Sequence, residues 1–159
     1  MKVTQLSVFL ENKPGTLSRP VQLLARAGYN ILALSLADTQ QFGILRLIVR
    51  DWQGARKLLE QEGFVVKVND LVAIEVSDAP GGLAGILAVL EKNRVNLEYM
   101  HGFTERREGR GLLLFRFDDP DHAIKALQQN GINPVTTVEL FQEKEGRPGK
   151  NAAAKAPGR

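Results

Sequence analysis

Leu10-Glu11-Asn12-Lys13-Pro14-Gly15-Thr16-Leu17 and Val76-Ser77-Asp78-Ala79-Pro80-Gly81-Gly82-Leu83 are one turn written twice. The two Pro-Gly pairs stand 66 positions apart, and Asn30 and Asn96 keep that spacing, as do Leu17 and Leu83. Further on the spacing is 68: Gly43 answers to Gly111, Asp51 to Asp119 and Gly63 to Gly131. A duplication with two residues inserted around Glu105–Arg110 accounts for every pair, and a fixed period of this length decides architecture before any local feature does. The 159 residues are therefore expected to divide into module 1 (residues 1–69), module 2 (residues 70–142) and a tail (residues 143–159). Modules this small are marginal alone, so they should lean on each other or on a partner chain.

On either side of each turn the apolar period switches between two and 3.6. Leu6, Val8 and Leu10 alternate as a strand; Leu17, Val21, Leu24 and Gly28 step along one face of a helix; Leu32, Leu34, Leu36 and then Leu45, Leu47, Val49 alternate again. Asp51 is placed to cap a helix burying Ala55, Leu58 and Leu59, and Phe64–Val68 reads as a fourth strand. The second copy repeats the order: a strand at Val72–Val76, a helix through Leu83, Ile86, Leu87 and Leu90, a hairpin of Leu97–Phe103 and Leu112–Phe117, a helix opened by Asp119-Pro120, and a last strand at Val135–Phe141. The fold class expected is α+β: two tandem ferredoxin-like βαββαβ modules with antiparallel sheets and helices on one face. The strand faces that should then be wet carry Phe9, Ile31, Ile44, Ile48, Leu112 and Leu114. A one-sided sheet would put polar groups there, so these side chains predict a covered back face and, with it, a homodimer.

Charge narrows the function. From Glu143 onward five basic residues face two acidic ones, which is the whole net charge of +3, so the first 142 residues are balanced. A phosphate reader carries its basic excess on the folded face; here it sits in a Gly-, Pro- and Ala-rich tail that reads as disordered. No nucleic-acid partner is expected. The third-strand segment Gly43–Val49 has no aromatic residue, which counts against an RNA-binding βαββαβ module, the rival of another class. The absence of cysteine excludes disulfides and thiol chemistry and suits a cytoplasmic location. The N-terminus lacks a signal-peptide core, and no apolar run approaches a membrane span. His101 and His122 show no ligand spacing, and no acid–base pair or nucleophile turn is present, so no metal, no cofactor and no catalysis are expected.

What remains is the repeated turn. Gly lets a ligand approach the backbone closely, and the turn feeds a helix N-terminus whose free N–H groups favour a carboxylate. Asn12 and Asp78 could reach the other polar groups of an amino acid: Asn donates and accepts, ionised Asp only accepts. Asn30 and Asn96 stand at the exit of the first helix of each copy, where they could approach a neighbouring module's loop. Read as structure alone, the same residues are a tight turn, two helix caps and a left-handed helix exit.

Glu11-Asn12-Lys13-Pro14-Gly15-Thr16-Leu17-Ser18-Arg19, followed by Ala27-Gly28-Tyr29-Asn30-Ile31, resembles the amino-acid-binding ACT domain family. It is especially similar to the ACT domain of acetolactate synthase regulatory subunits, and the tandem as a whole, residues 3–141, resembles stand-alone tandem ACT proteins. The resemblance implies modules paired side by side, with a ligand between the loop of one and the second-strand start of its neighbour. Carried over by position, it names Asn12, Pro14, Gly15, Thr16, Leu17, Asn30 and Ile31, and with them Asp78, Pro80, Gly81, Gly82, Leu83, Asn96 and Leu97, as ligand-binding residues. It implies a non-catalytic sensor of a small amino acid, working with a partner metabolic enzyme; the alternative is the small regulatory subunit of acetolactate synthase itself.

Overall fold

Each Pro-Gly turn is entered from a strand and left by a helix, as the alternating period requires. The computed structural model describes residues 1–39, 41–107 and 109–136, without the side chains of 38, 39 and 103–107. The elements are β1 (Lys2–Glu11), α1 (Ser18–Arg26), β2 (Ile31–Thr39), β3 (Phe42–Val49), α2 (Trp52–Gln61), β4 (Val65–Ser77), α3 (Gly82–Lys92), β5 (Leu97–Arg107), β6 (Arg110–Phe117) and α4 (Pro120–Gln129). The strands lie in the order β2-β3-β1-β4-β6-β5, every neighbour antiparallel. The class is α+β, as the repeat predicts. Leu6, Val8, Leu10, Leu45 and Leu47 pack under α1 and α2; Val72, Ile74, Val76, Phe115 and Phe117 pack under α3 and α4.

The fourth strand of the first copy and the first strand of the second are one strand. β4 pairs with β1 from Val65 to Val72 and with β6 from Val72 to Ser77. The boundary expected between residues 69 and 70 falls inside it. Asn69-Asp70 has low strand propensity and reads as a break. In the structure Asn69 Nδ2 donates to Ser7 Oγ at 2.9 Å, so its polarity is satisfied on the sheet and the strand runs on. At the start of the expected last strand Val135 N donates to Ala73 O at 2.8 Å, though residues 135 and 136 belong to no strand; residues 137–141 lie outside the described residues.

β3 and β5 are four strand positions apart, about 19 Å on a flat sheet. Yet the Arg46 guanidinium sits 4.1 Å from the Tyr99 ring centroid, and Gln5 Nε2 donates to the Tyr99 hydroxyl at 2.8 Å. The sheet is therefore folded over along β4, with the back faces of the two repeats against each other. Val3, Ile48, Leu71, Ala73 and Leu114 form their own buried cluster there, with Leu32, Ala33 and Leu112 at its margin.

This changes the reading of the apolar back face. Ile48 and Leu114 are covered by the chain's own other repeat and need no second chain. Ile31 turns to the helix side instead, because β2 has a bulge between Ile31 and Ala33. Phe9 remains 40% exposed. The same bulge undoes the even alternation of Leu32, Leu34 and Leu36: Leu32 joins the back-face cluster, while Leu34 and Leu36 lie on the helix side of an edge strand, exposed. Phe115 and Phe117 are fully buried beneath the helices, out of reach of any base.

His101 lies on β5 beside this junction, its ring stacked near that of Tyr99. Burial holds its imidazole below the ordinary pKa, and the Arg46 charge adds to the effect. Between the unfolded value of about 6.5 and the lower folded one, the unfolded chain binds more protons. Stability is then complete above about pH 6.5 and falls as pH drops through that window. His101→Gln should flatten this part of the profile in urea denaturation at several pH values; an unchanged slope would show that His101 does not sense the junction.

Candidate functional site

The first loop is held open by its neighbours on both sides. Asn12 N donates to Gln41 O at the β2–β3 turn at 3.0 Å, and Thr16 Oγ1 lies 2.7 Å from Glu11 O and 2.8 Å from Lys13 O. Gly15 has φ of +86°, a left-handed turn that favours glycine. The Lys13 ammonium is 2.6 Å from the Glu11 carboxylate, whose pKa it lowers by hydrogen bond and charge together. A cavity of about 370 Å³ opens here, lined by Leu10, Glu11, Asn12, Lys13, Pro14, Thr16, Leu17, Leu36 and Gly43.

The second loop repeats the design. Asp78 N donates to Gly109 O at the β5–β6 turn at 2.8 Å, the counterpart of the Asn12 bond. Gly81 has φ of +90°. Its cavity, about 400 Å³, is lined by Val76, Ser77, Asp78, Ala79, Pro80, Leu83, Gly111 and Leu113. Seven lining positions correspond between the two cavities through the spacings of 66 and 68. The loops differ in how they close. Where Thr16 bonds the carbonyl of Glu11, Gly82 presses against that of Ser77: a Cβ on Gly82 would stand 2.1 Å from Ser77 O.

The helix starts separate these loops from ordinary turns. α2 is capped by Asp51, whose side chain accepts from Gly54 N, and α4 by Asp119, which accepts from Asp121 N and His122 N. α1 and α3, which begin at the two cavities, have no side-chain cap bond. In their first turns Ser18 N donates to Gly15 O, Gly82 N donates to Ala79 O and Pro20 has no N–H. The N–H groups of Arg19 in α1 and of Leu83 and Ala84 in α3 have no intrahelical acceptor, and the helix dipole adds partial positive charge. Each cavity thus combines one polar side chain (Asn12 or Asp78) and aliphatic walls beside a helix start without a side-chain cap; in the first repeat Ser18 and Arg19 of that start line the separate hollow with Gly15.

Of the sequence-expected residues, Asn12, Pro14, Thr16 and Leu17 meet in the first cavity, and Asp78, Pro80 and Leu83 in the second. Gly15, Gly81 and Gly82 shape the turns without lining these cavities; Gly15 borders a separate hollow with Ser18, Arg19 and Glu62. Asn30, Ile31, Asn96 and Leu97 are not brought to either loop. β2 runs parallel to β1 through their shared neighbour β3, so Asn30 stands at the opposite end of the sheet, a strand length or about 27 Å from Asn12. Asn30 lines a different cavity with Tyr29, Leu32, Arg50 and Asp51, and Asn96 O accepts from Asp118 N. Missed from the sequence were Leu36 and Leu113, and also Gly43 and Gly111, whose shared spacing was visible but whose place in the walls depends on strand pairing. Among the described residues no cluster of His, Asp and Glu could hold a metal ion. Asp119 is a helix cap and Asp121 pairs with Lys2 at 2.9 Å.

One folded antiparallel sheet with two pairs of helices, each repeat carrying an open loop at a helix start, defines a tandem α+β protein. The chain belongs to the ACT domain family: a family model described as an ACT domain pair matches residues 1–143. It is similar to the acetolactate synthase small subunit of Buchnera aphidicola, with 40% identity over 63 residues, covering 40% of this chain and 39% of that protein. The isozyme 3 small subunit of Escherichia coli is 43% identical over 56 residues, 35% of this chain and 34% of its own. The matched part thus spans well under half of these relatives. Among solved structures, a protein of Bacteroides thetaiotaomicron superposes with a TM-score of 0.82 at 34% identity, over 89% of this chain and 97% of that one. The ligand-free regulatory subunit of aspartate kinase from Thermus thermophilus shares the fold, with a TM-score of 0.58 at 18% identity over 79% and 91% of the two chains.

Gly82→Ala should destabilise the protein by about 1–3 kcal/mol, since the new methyl meets backbone. Thr16→Ala, which loses hydroxyl bonds at a partly open loop, should cost about 0.5–1.5 kcal/mol. Urea denaturation measures both, and a neutral Gly82→Ala would mean that the second loop is not seated on Ser77.

Proposed function

We propose that the protein binds a small amino acid at each loop and passes its occupancy to a partner enzyme, without catalysing a reaction itself. The observation that carries this reading is the pair of uncapped helix N-termini at the two equivalent cavities, beside two helices that are capped. A carboxylate on the N-terminal turn of α3 would take the N–H groups of Leu83 and Ala84, and one on α1 that of Arg19, since Pro20 has none. The ammonium would face the loop carbonyls, Asn12 or Asp78 would meet the remaining polar atoms, and the side chain would lie against Leu10, Leu17 and Leu36 or Val76, Leu83 and Leu113.

The two sites are unequal. Asn12 is neutral and can donate to the carboxylate; Asp78 repels it unless turned to the ammonium. The Thr16 hydroxyl proton is directed at loop carbonyls, so toward a ligand Thr16 serves as an acceptor. A homodimer would complete each pocket, bringing the second-strand start of another copy, Asn30-Ile31 or Asn96-Leu97, to the loop. Leu34 and Leu36, 59% and 52% exposed on the edge strand β2, support such pairing. The division into modules at residues 69 and 70 then marks two ligand-binding units sharing β4. A cytoplasmic setting suits this role; among the described residues no helix is long and apolar enough to cross a membrane.

A second reading, the regulatory small subunit of acetolactate synthase, is favoured by the identity to two such subunits. Co-purification with a catalytic subunit of that enzyme, and a change in its amino-acid inhibition, would separate it from a sensor with another partner.

A thermal-shift panel of the twenty standard amino acids should find a ligand: at about a hundred times its Kd it adds roughly 2.7 kcal/mol of stability. In calorimetry Asn12→Ala should weaken the tighter site about ten- to hundredfold, the loss of a charge-assisted bond. The first site is the tighter one, and Asp78→Ala should weaken the second site less. Equal losses would remove the asymmetry, and no heat or shift with any amino acid would remove the function. Light scattering should show a dimer that Leu34→Lys and Leu36→Lys shift toward monomer; a wild-type monomer at high micromolar concentration would refute the pairing.

A further inference from the structure

The backbone of each pocket loop bonds a hairpin turn, and the two hairpins meet on their back faces, where Ile48 and Leu114 pack in one cluster and Arg46 touches Tyr99. The first loop is tied to Gln41 of the β2–β3 turn, and β3 carries Arg46. The second is tied to Gly109 of the β5–β6 turn, and β5 carries Tyr99. The Arg46 guanidinium stacks on the Tyr99 ring, 4.1 Å from its centroid. The Tyr99 hydroxyl accepts from Gln5 of β1, the strand that ends in the first loop, at 2.8 Å. Gln5 is fully buried, so water cannot replace that bond without opening the junction.

The other covalent route between the loops is β4, which starts beside Phe9 and ends at Ser77. It is zipped to β1 over eight consecutive pairs and to β6 over six, so it cannot slide without breaking ladders. A side-chain contact can shift by small steps that a ladder does not allow.

We propose that Tyr99 is the positioning residue through which the two pocket loops act on each other. Displacement of the first loop moves the β2–β3 hairpin and β1; Arg46 and Gln5 carry that movement to Tyr99, and β5 carries it to the turn that holds the second loop. Thermodynamic linkage makes the effect reciprocal. Its use in regulation rests on the amino-acid reading of the loops, but the transmission does not require a ligand. Contiguity of contacts establishes a route only when a coupling is measured.

Backbone amide chemical shifts of the full chain measure it. Thr16→Val, which removes the bonds to Glu11 O and Lys13 O, should shift the amides of Asp78, Gly81 and Leu83. Pro80→Ala should in turn shift those of Asn12 and Gly15. In a Tyr99→Leu background both remote effects should vanish while the local ones remain. Tyr99→Phe combined with Arg46→Met removes the same two contacts and keeps the ring, and serves should Tyr99→Leu fail to fold. A residue of purely structural importance would lower stability and leave the remote shifts in place. Remote shifts that survive the loss of both contacts would assign the route to β4 or to the apolar cluster of Ile48 and Leu114, and remote shifts absent from the otherwise native protein would show that the loops are independent; either result overturns the proposal. Titration with each of the twenty standard amino acids, read at the same amides, keeps the two readings apart: transmission without binding would count against the amino-acid function alone.

Discussion

Gln5, Ser7 and Asn69 lie on strand faces that would be wet in a lone βαββαβ unit. Gln5 and Ser7 are nevertheless buried, because the second repeat's sheet is laid against them. Their donors are met from across the sheet and across the junction: Asn69 bonds Ser7, and the Gln5 amide nitrogen bonds Tyr99, with Arg46 stacked on the same ring, while Gln5 Oε1 has no partner among the described residues. Each such bond adds only about 0.5–1.5 kcal/mol net, but leaving one of these groups buried and unpaired would cost about 1–3 kcal/mol. The contacts therefore specify how the repeats meet more than they hold them together. The holding is done by Val3, Ile48, Leu71, Ala73 and Leu114 beside them.

This back-to-back packing, joined along a shared β4, sets where the pockets lie. The loops sit at the far ends of the two units, while Asn30 and Asn96 sit at the ends where their strands begin. A tandem pairing side by side within one chain would have brought a loop to a strand start. Sharing β4 spends that possibility on fold stability and leaves the outer edges β2 and β5 to make such a pairing between chains. The exposed Leu34 and Leu36 stand on one of those edges.

The contrast among the four helices sets the two cavity loops apart from the other helix entries more sharply than the Pro-Gly motif does. Asp51 and Asp119 occupy corresponding places in the two repeats and both cap their helices. Asn12 and Asp78 also correspond, yet neither α1 nor α3 has a side-chain cap. Duplication preserved a helix start with a side-chain cap in one place and one without in the other. A helix start without a side-chain cap in both copies, each beside a cavity with aliphatic walls, is what the proposed carboxylate site rests on.

The repeat, the element order, the helix caps at Asp51 and Asp119 and the position of both loops were legible in the sequence, because each depends on residues close together in the chain. Period-two and period-3.6 patterns, Pro-Gly turns and Asp caps are local chemistry. The tertiary structure decided what local chemistry cannot express. It merged the two strands around Asn69-Asp70 into one, since Asn69 finds its partner 62 residues away at Ser7. It turned Ile31 inward and exposed Leu34 and Leu36, since a bulge shifts the register and an edge strand has no helix above it. It covered Ile48 and Leu114 from within, where the sequence pattern read equally well as a surface for another chain. And it placed Asn30 a strand's length from Asn12, because two positions eighteen apart in sequence are set near or far only by the direction in which the intervening helix returns the chain.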